Sequence, residues 1–173
     1  TDKYCFGMYG AVSNTSITDL YVTYNQSVIF NDYRSNPIAE YQLYVGGIAG
    51  YAYNTTFNNC VVRFKNDSCF EFNAYKGGNS SKLHDKLSVS VGGVVGRIHG
   101  KNASVNECIV ISDNGNFTSK NMYLADNSFQ VGTLAGESQM KVANFGNTNN
   151  GLYELILRNG SERIKVSLTD SIY

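Results

Sequence analysis

A hydrophobic, glycine-rich segment recurs at nearly constant spacing, and it limits the architectures open to this 173-residue chain more than any other feature. Val45-Gly46-Gly47-Ile48-Ala49-Gly50 is answered by Val91-Gly92-Gly93-Val94-Val95-Gly96, more loosely by Val131-Gly132-Thr133-Leu134-Ala135-Gly136, and in degenerate form by Cys5-Phe6-Gly7-Met8-Tyr9-Gly10. The closing glycines fall at 10, 50, 96 and 136, so the spacings are 40, 46 and 40 residues. A unit of this size cannot bury both of its faces alone; copies stacked on one another can, because each shares its interior with the next.

After each glycine segment comes a polar loop and then a β-prone run: Ile17-Thr18-Asp19-Leu20-Tyr21-Val22, Phe57-Asn58-Asn59-Cys60-Val61-Val62, or Val105-Asn106-Glu107-Cys108-Ile109-Val110. Turn signals follow at Asn25-Gln26, Asn66-Asp67, Asn114-Gly115 and Asn159-Gly160, each leading into another β-prone run. Asn-Gly between apolar runs favours a type I′ hairpin, since both residues tolerate positive φ. The pattern predicts a glycine strand followed by a hairpin in each unit, and negligible helix, because no stretch sustains a 3.6-residue period. The expected fold is a single all-β domain, a β-solenoid or β-helix-like stack of four units at about 1–40, 41–86, 87–127 and 128–173, with a β-sandwich or prism as the alternative. The paired glycines would lie where backbones pass too close for a Cβ.

Composition decides what such a stack can meet. Only 16% of residues are charged, and 14 basic residues balance 14 acidic ones. Nucleic acid requires a basic surface that displaces counterions, which this chain lacks. No run approaches the roughly 20 apolar residues of a membrane-spanning helix. Thirteen tyrosines, nine phenylalanines and a single proline supply ample material for buried strands. A net charge of zero removes the repulsion that keeps chains apart, so self-association into a homopolymer is expected.

Asparagine replaces the missing charge, with 21 residues. Eight of them satisfy the Asn-X-Ser/Thr requirement for N-glycosylation, namely Asn14, Asn25, Asn54, Asn66, Asn79, Asn102, Asn116 and Asn159, where chance gives about three. Asn14 and Asn54 lie four residues after a closing glycine and Asn102 six, while Asn25, Asn66 and Asn159, with Asn116 nearby, fall at the expected hairpin tips. Two ladders of glycans along the stack would account for this phasing; so would turns that are asparagine-rich for conformational reasons alone. The sites point to a secreted, cell-surface chain, with covalent glycans and no cofactor. The start at Thr1, without an initiator methionine or apolar leader, suggests a processed chain or a fragment.

Gly47-Ile48-Ala49-Gly50-Tyr51 with the run from Phe57 to Val62, and Gly93-Val94-Val95-Gly96 with the run from Val105 to Val110, resemble the glycine-rich GLUG-type repeats of large surface and secreted proteins. The resemblance covers two units well and two loosely. It implies a parallel β-helix serving as a non-catalytic, extended scaffold, although the units here are longer and carry the expected hairpin.

Cys60 and Cys108 occupy the same place in adjacent units, within disulfide reach if those units stack at the strand spacing of about 4.8 Å. A ladder of small buried thiols is the competing arrangement. Cys5 and Cys69 would then pair by elimination, though four cysteines allow three connectivities. His84 and His99 are expected in polar loops without a nucleophile partner, and Asp19, Glu71, Glu107 and Asp113 in different phases of the repeat, so no catalytic or metal residues are assigned. Asp113-Asn114-Gly115-Asn116 reads as a turn before it reads as a calcium loop.

Two functions fit these residues. One is a structural subunit or segment of a surface filament or stalk, assembling by strand pairing at edges near Tyr4 to Gly10 and Glu162 to Leu168. The other is an adhesin or carbohydrate-binding module that meets surface glycans or cell-surface proteins through Tyr51, Tyr53 and Tyr75.

Overall fold

The computed structural model describes residues 2–32, 41–74, 87–113, 117–122, 129–138, 154–159 and 162–167. These residues form nineteen strands and no helix. The first coil contains β1 (Asp2–Phe6), β2 (Tyr9–Ser13), β3 (Ser16–Thr18), β4 (Tyr21–Tyr24) and β5 (Val28–Asp32). The second repeats the order as β6 (Tyr41–Gly46), β7 (Ala49–Tyr53), β8 (Thr56–Asn58), β9 (Val61–Phe64) and β10 (Phe70–Ala74). The third does so as β11 (Leu87–Gly92), β12 (Val95–His99), β13 (Ser104–Asn106), β14 (Ile109–Ser112) and β15 (Thr118–Met122). A fourth begins with β16 (Phe129–Gly132) and β17 (Ala135–Ser138), and the described chain ends in β18 (Glu154–Asn159) and β19 (Glu162–Ser167).

Each strand pairs with its equivalents in neighbouring coils, which builds five sheets running the length of the stack: β1-β6-β11-β16, β2-β7-β12-β17, β3-β8-β13, β4-β9-β14-β18-β19 and β5-β10-β15. Every pairing is parallel except β18 with β19. The fold is therefore an all-β solenoid. The register follows the glycine spacings: Ala11 faces Tyr51, Tyr51 faces Arg97 and Arg97 faces Glu137, offsets of 40, 46 and 40.

The unit differs from a strand plus hairpin in one respect. Asn25-Gln26 and Asn66-Asp67 lie at corners between β4 and β5 and between β9 and β10, and these strands bond to adjacent coils instead of to each other. Among the described residues only β18 and β19, joined through Gly160-Ser161, form the antiparallel pair that the turn signal suggested; Asn114-Gly115 lies outside the described residues. At Asn66, whose φ is 54°, left-handed geometry makes a corner, because the strand that follows finds its partner one coil away.

The glycine segment bends the chain sharply from the first sheet into the second. A Cβ added at Gly50 would lie 2.6 Å from the Phe6 nitrogen and 2.7 Å from the Tyr44 carbonyl oxygen, so the backbones of two sheets touch where it stands. Beyond this bend the inward side chains stack in columns. Tyr24 lies flat against Phe64 with centroids 5.0 Å apart, and Phe30 against Phe72 at 4.9 Å, while Phe70 meets Phe64 edge-on at 5.0 Å. Each such pair contributes about 0.5–1.5 kcal/mol beyond simple burial. Ile48, Val94 and Leu134 fill the corner beside them, all fully buried.

Left-handed residues turn the remaining corners. Asn14, Asn54 and Gly100 have φ of 52°, 47° and 111° between the second and third sheets; Asp19, Asn59 and Glu107 have φ of 57°, 50° and 50° between the third and fourth. Asparagine and aspartate tolerate this region, whereas glutamate gains no local compensation there.

Replacing Gly50 with alanine is expected to destabilise the fold by about 1–3 kcal/mol, the range for a forced overpacking. Gly10→Ala provides the contrast, because a Cβ there meets nothing closer than the Cys5 oxygen at 3.7 Å. Urea denaturation midpoints distinguish the two. Glu107→Asn is expected to raise stability by roughly 1 kcal/mol by relieving a strained left-handed residue, read as a higher melting temperature.

Candidate functional site

Three regions carry the side chains singled out by sequence, and the first is the set of corners. Asn14, Asn25, Asn66 and Asn102 are exposed, and Asn54 is half-buried. Asn54 Nδ2 donates to Asn14 Oδ1 at 3.3 Å, and its Oδ1 accepts the Asn102 amide at 3.4 Å. Gly100, not Asn102, holds the left-handed position above Asn54; Lys101 and Asn102 belong to a two-residue extension of that corner. Asn79, Asn116, Tyr75 and His84 lie outside the described residues, as does the side chain of Asn159.

A wider asparagine ladder accompanies these corners. Asn59 donates to Asp19 at 2.6 Å, Asn106 to Asn58 at 2.8 Å and Asn73 to Asn31 at 3.1 Å. Asp19 and Glu107 share one phase of the repeat, in contrast to the scattered placement expected, with Asn59 between them. Glu71 accepts from Asn73 at 2.9 Å. Asp113 takes a bidentate contact from Arg63 with distances of 3.1–3.2 Å and also accepts the Asn66 amide at 3.2 Å. Among the described residues no cluster of three or more His, Cys, Asp or Glu forms a metal-sized group.

The cysteines divide into two kinds. Cys60 and Cys108 are fully buried, free and stacked in successive coils, the Ile109 amide bonding to the Cys60 carbonyl at 2.8 Å. The Cys60 thiol is directed at the Asn58 carbonyl and the Cys108 thiol at the Asn106 carbonyl, each at 3.3 Å; the proximity of the two thiols holds the pKa of Cys60 below its usual value and pushes that of Cys108 up. Cys5 is exposed on β1, while Cys69 precedes β10 and contacts Ser27 and Ser119. The structure does not bring these two together: Cys5 stands on β1 in the first sheet, Cys69 precedes β10 in the fifth, and both thiols are free.

The second region is a seam where outer side chains of the first two sheets converge. Tyr44 is 1% exposed although it alternates with the core residues Leu43 and Val45. Its hydroxyl donates to Gln42 at 2.5 Å and accepts from Arg97 at 2.6 Å, and the guanidinium also lies over the ring. Arg97 Nε lies 3.3 Å from Glu137 Oε1 without the alignment of a hydrogen bond. Beside this network the Tyr51 hydroxyl bonds His99 Nε2, and the Tyr53 ring lies 5.0 Å from the imidazole. His99 ends strand β12 instead of lying in a loop. Tyr51 and His99 are 48 residues apart in sequence and Tyr44 and Arg97 are 53 apart, so no local motif announces these pairs.

The third region is the outer face of the first coil. Phe6, Val12, Ile17, Val22, Tyr24 and Phe30 stand in columns whose second-coil members Val45, Ala52, Phe57, Val62, Phe64 and Phe72 are buried, yet they are only partly covered. Tyr4 is 52% exposed and Met8 54%. All five strands β1 to β5 are outermost in their sheets, with one row of backbone groups unpaired by the described chain.

No protein-family model, curated protein or solved structure matches this chain.

The seam has a titration consequence. The His99 pKa is held below its usual value by burial first, then by Arg97 and Lys3, with Glu137 opposing. The folded state thus favours neutral imidazole, so stability should fall as pH drops through the unfolded value of about 6.5 and level off below the folded one. Urea midpoints at about pH 8 and about pH 5 measure the loss, and His99→Gln should reduce it.

Proposed function

We propose that the chain is a non-catalytic segment of an extracellular, N-glycosylated surface filament or stalk, which assembles by strand pairing at the outer face of the first coil. The observation that carries this reading is that face itself: five parallel strand edges around an apolar interior left partly open. Natural sheet edges are guarded by lysine, proline or bulges. Residues 2–32, which span the five strands, contain no proline and four charged residues, Asp2, Lys3, Asp19 and Asp32. The resemblance to GLUG-type repeats supports the same reading, and exposed asparagines at successive corners are placed to hold sugar outside the stack.

A carbohydrate-binding role draws its support from Tyr53, which is 40% exposed beside Tyr51 and His99 and offers an aromatic face on which a sugar ring could stack. That role would need binding without assembly.

Secretion from a glycosylating eukaryotic host, followed by peptide mass spectrometry before and after enzymatic deglycosylation, tests the compartment. Glycans are expected on Asn14, Asn25, Asn66 and Asn102, with lower occupancy at the half-buried Asn54. Sedimentation of the same material should show concentration-dependent association. Unmodified asparagines would defeat the extracellular assignment, and monomers that bind a glycan array would favour the carbohydrate-binding role.

A further inference from the structure

Parallel stacking puts two of the four cysteines in one column. Leu20, Cys60 and Cys108 hold the same phase in three successive coils, each directly after a left-handed corner residue, Asp19, Asn59 or Glu107. The Asn59 amide bonds to the Asn106 carbonyl at 3.0 Å and the Ile109 amide to the Cys60 carbonyl at 2.8 Å, which sets Cys60 directly opposite Cys108. Neighbouring strands lie about 4.8 Å apart, inside the Cα separation of about 4.4–6.8 Å that a disulfide spans. Both side chains are fully buried. The other two cysteines have no thiol opposite them: Cys5 is paired across coils with Tyr44, and Cys69 contacts Ser27 and Ser119.

We infer that Cys60 and Cys108 are an oxidisable pair that closes into an inter-coil disulfide, fastening the second coil to the third at the corner between the third and fourth sheets. The free thiols are its reduced form. Such a cross-link is independent of glycosylation and of assembly, because both sulfurs belong to one chain and lie in its core.

Closure replaces two S–H bonds with one S–S bond. Two protons and two electrons pass to a small disulfide oxidant such as oxidised glutathione, which leaves as two thiols. One cysteine first forms a mixed disulfide with the oxidant; the thiolate of its neighbour then attacks that cysteine's sulfur and expels the second glutathione thiol. The Cys108 thiol holds the pKa of Cys60 below its usual value, and the thiolate this favours is the attacking form. Each sulfur is directed at the carbonyl two residues back, at 3.3 Å, so closure also requires the side chains to rotate toward one another. The packed core admits no oxidant. The bond therefore forms while the two coils are closing and is shielded from reductants once they have packed.

The test is refolding of the full chain in a glutathione redox buffer, after production in a bacterial host so that no glycan intervenes, followed by alkylation in denaturant and peptide mapping without reduction. Trypsin places the four cysteines on separate peptides, 4–34, 35–63, 66–76 and 102–120, so the proposed bond links 35–63 to 102–120. That linked pair is expected in the folded fraction, and it should persist in Cys5→Ser/Cys69→Ser. Refolding under reductant should lower the melting temperature by roughly 5–15 °C, and Cys60→Ala/Cys108→Ala should melt no higher than the reduced chain. If the alanine variant does not fold, the peptide map of the unaltered chain still decides. Alkylated, unlinked Cys60 and Cys108 in the folded fraction, or a bond from either to Cys5 or Cys69, would overturn the pairing and leave the filament reading as it stands.

Discussion

Parallel, in-register pairing between coils is the constraint on which everything else in this molecule depends. It sets each side chain directly against its equivalent one coil away, so a residue is chosen as much by what it stacks on as by its own surroundings. Inside the solenoid that rule gives flat aromatic pairs such as Tyr24 on Phe64 and the superposed thiols of Cys60 and Cys108. At the sharp bend it gives Gly50 and Gly96, each lying against backbone of the first sheet. A substitution in one coil is therefore felt in two others.

The same rule accounts for the shortage of charge. Like charges placed directly opposite on paired strands repel, and a repeat that carried one in every coil would stack them. A carboxamide can donate to one neighbour and accept from another, so asparagine tolerates its own copy above and below; Asn106 on Asn58 shows the contact. Where charge does occur on the walls it is complementary across coils, as in Arg63 with Asp113 and Arg97 with Glu137. Asparagine also turns corners at positive φ. Its abundance has two structural causes that operate whether or not any residue carries a sugar.

The solenoid was legible because its period is written in glycines that the packing of successive coils demands. Those at 50, 96 and 136 mark a place where backbones touch, Gly10 holds the same phase in the first coil, and the pairing register reproduces the spacing of all four. The course of the chain after the bend was less legible. Asn25-Gln26 and Asn66-Asp67 have the conformational preferences of a hairpin tip, and a corner asks for the same ones; what separates the two is the location of the partner strand, which no short window contains. The seam was hidden for a related reason. Tyr44 reads as an outward tyrosine on an alternating strand, and only Arg97 and Glu137, arriving from later coils, show why it is buried.

Among the described residues, length varies between strands and not within them. Between the first two coils the offset is 39 residues where Cys5 faces Tyr44, 40 where Ala11 faces Tyr51 and 42 where Val28 faces Phe70. Between the second and third it passes from 46 at Tyr51 and Arg97 to 48 at Phe57 and Val105. Every change falls between strands and none within one, because a single inserted residue inside a strand would turn its core side chains outward. The molecule thus behaves like a wound coil whose turns are cut to a fixed gauge while the bends take up the slack. New material, whether a longer loop or a binding segment, can enter at the bends without disturbing the columns inside.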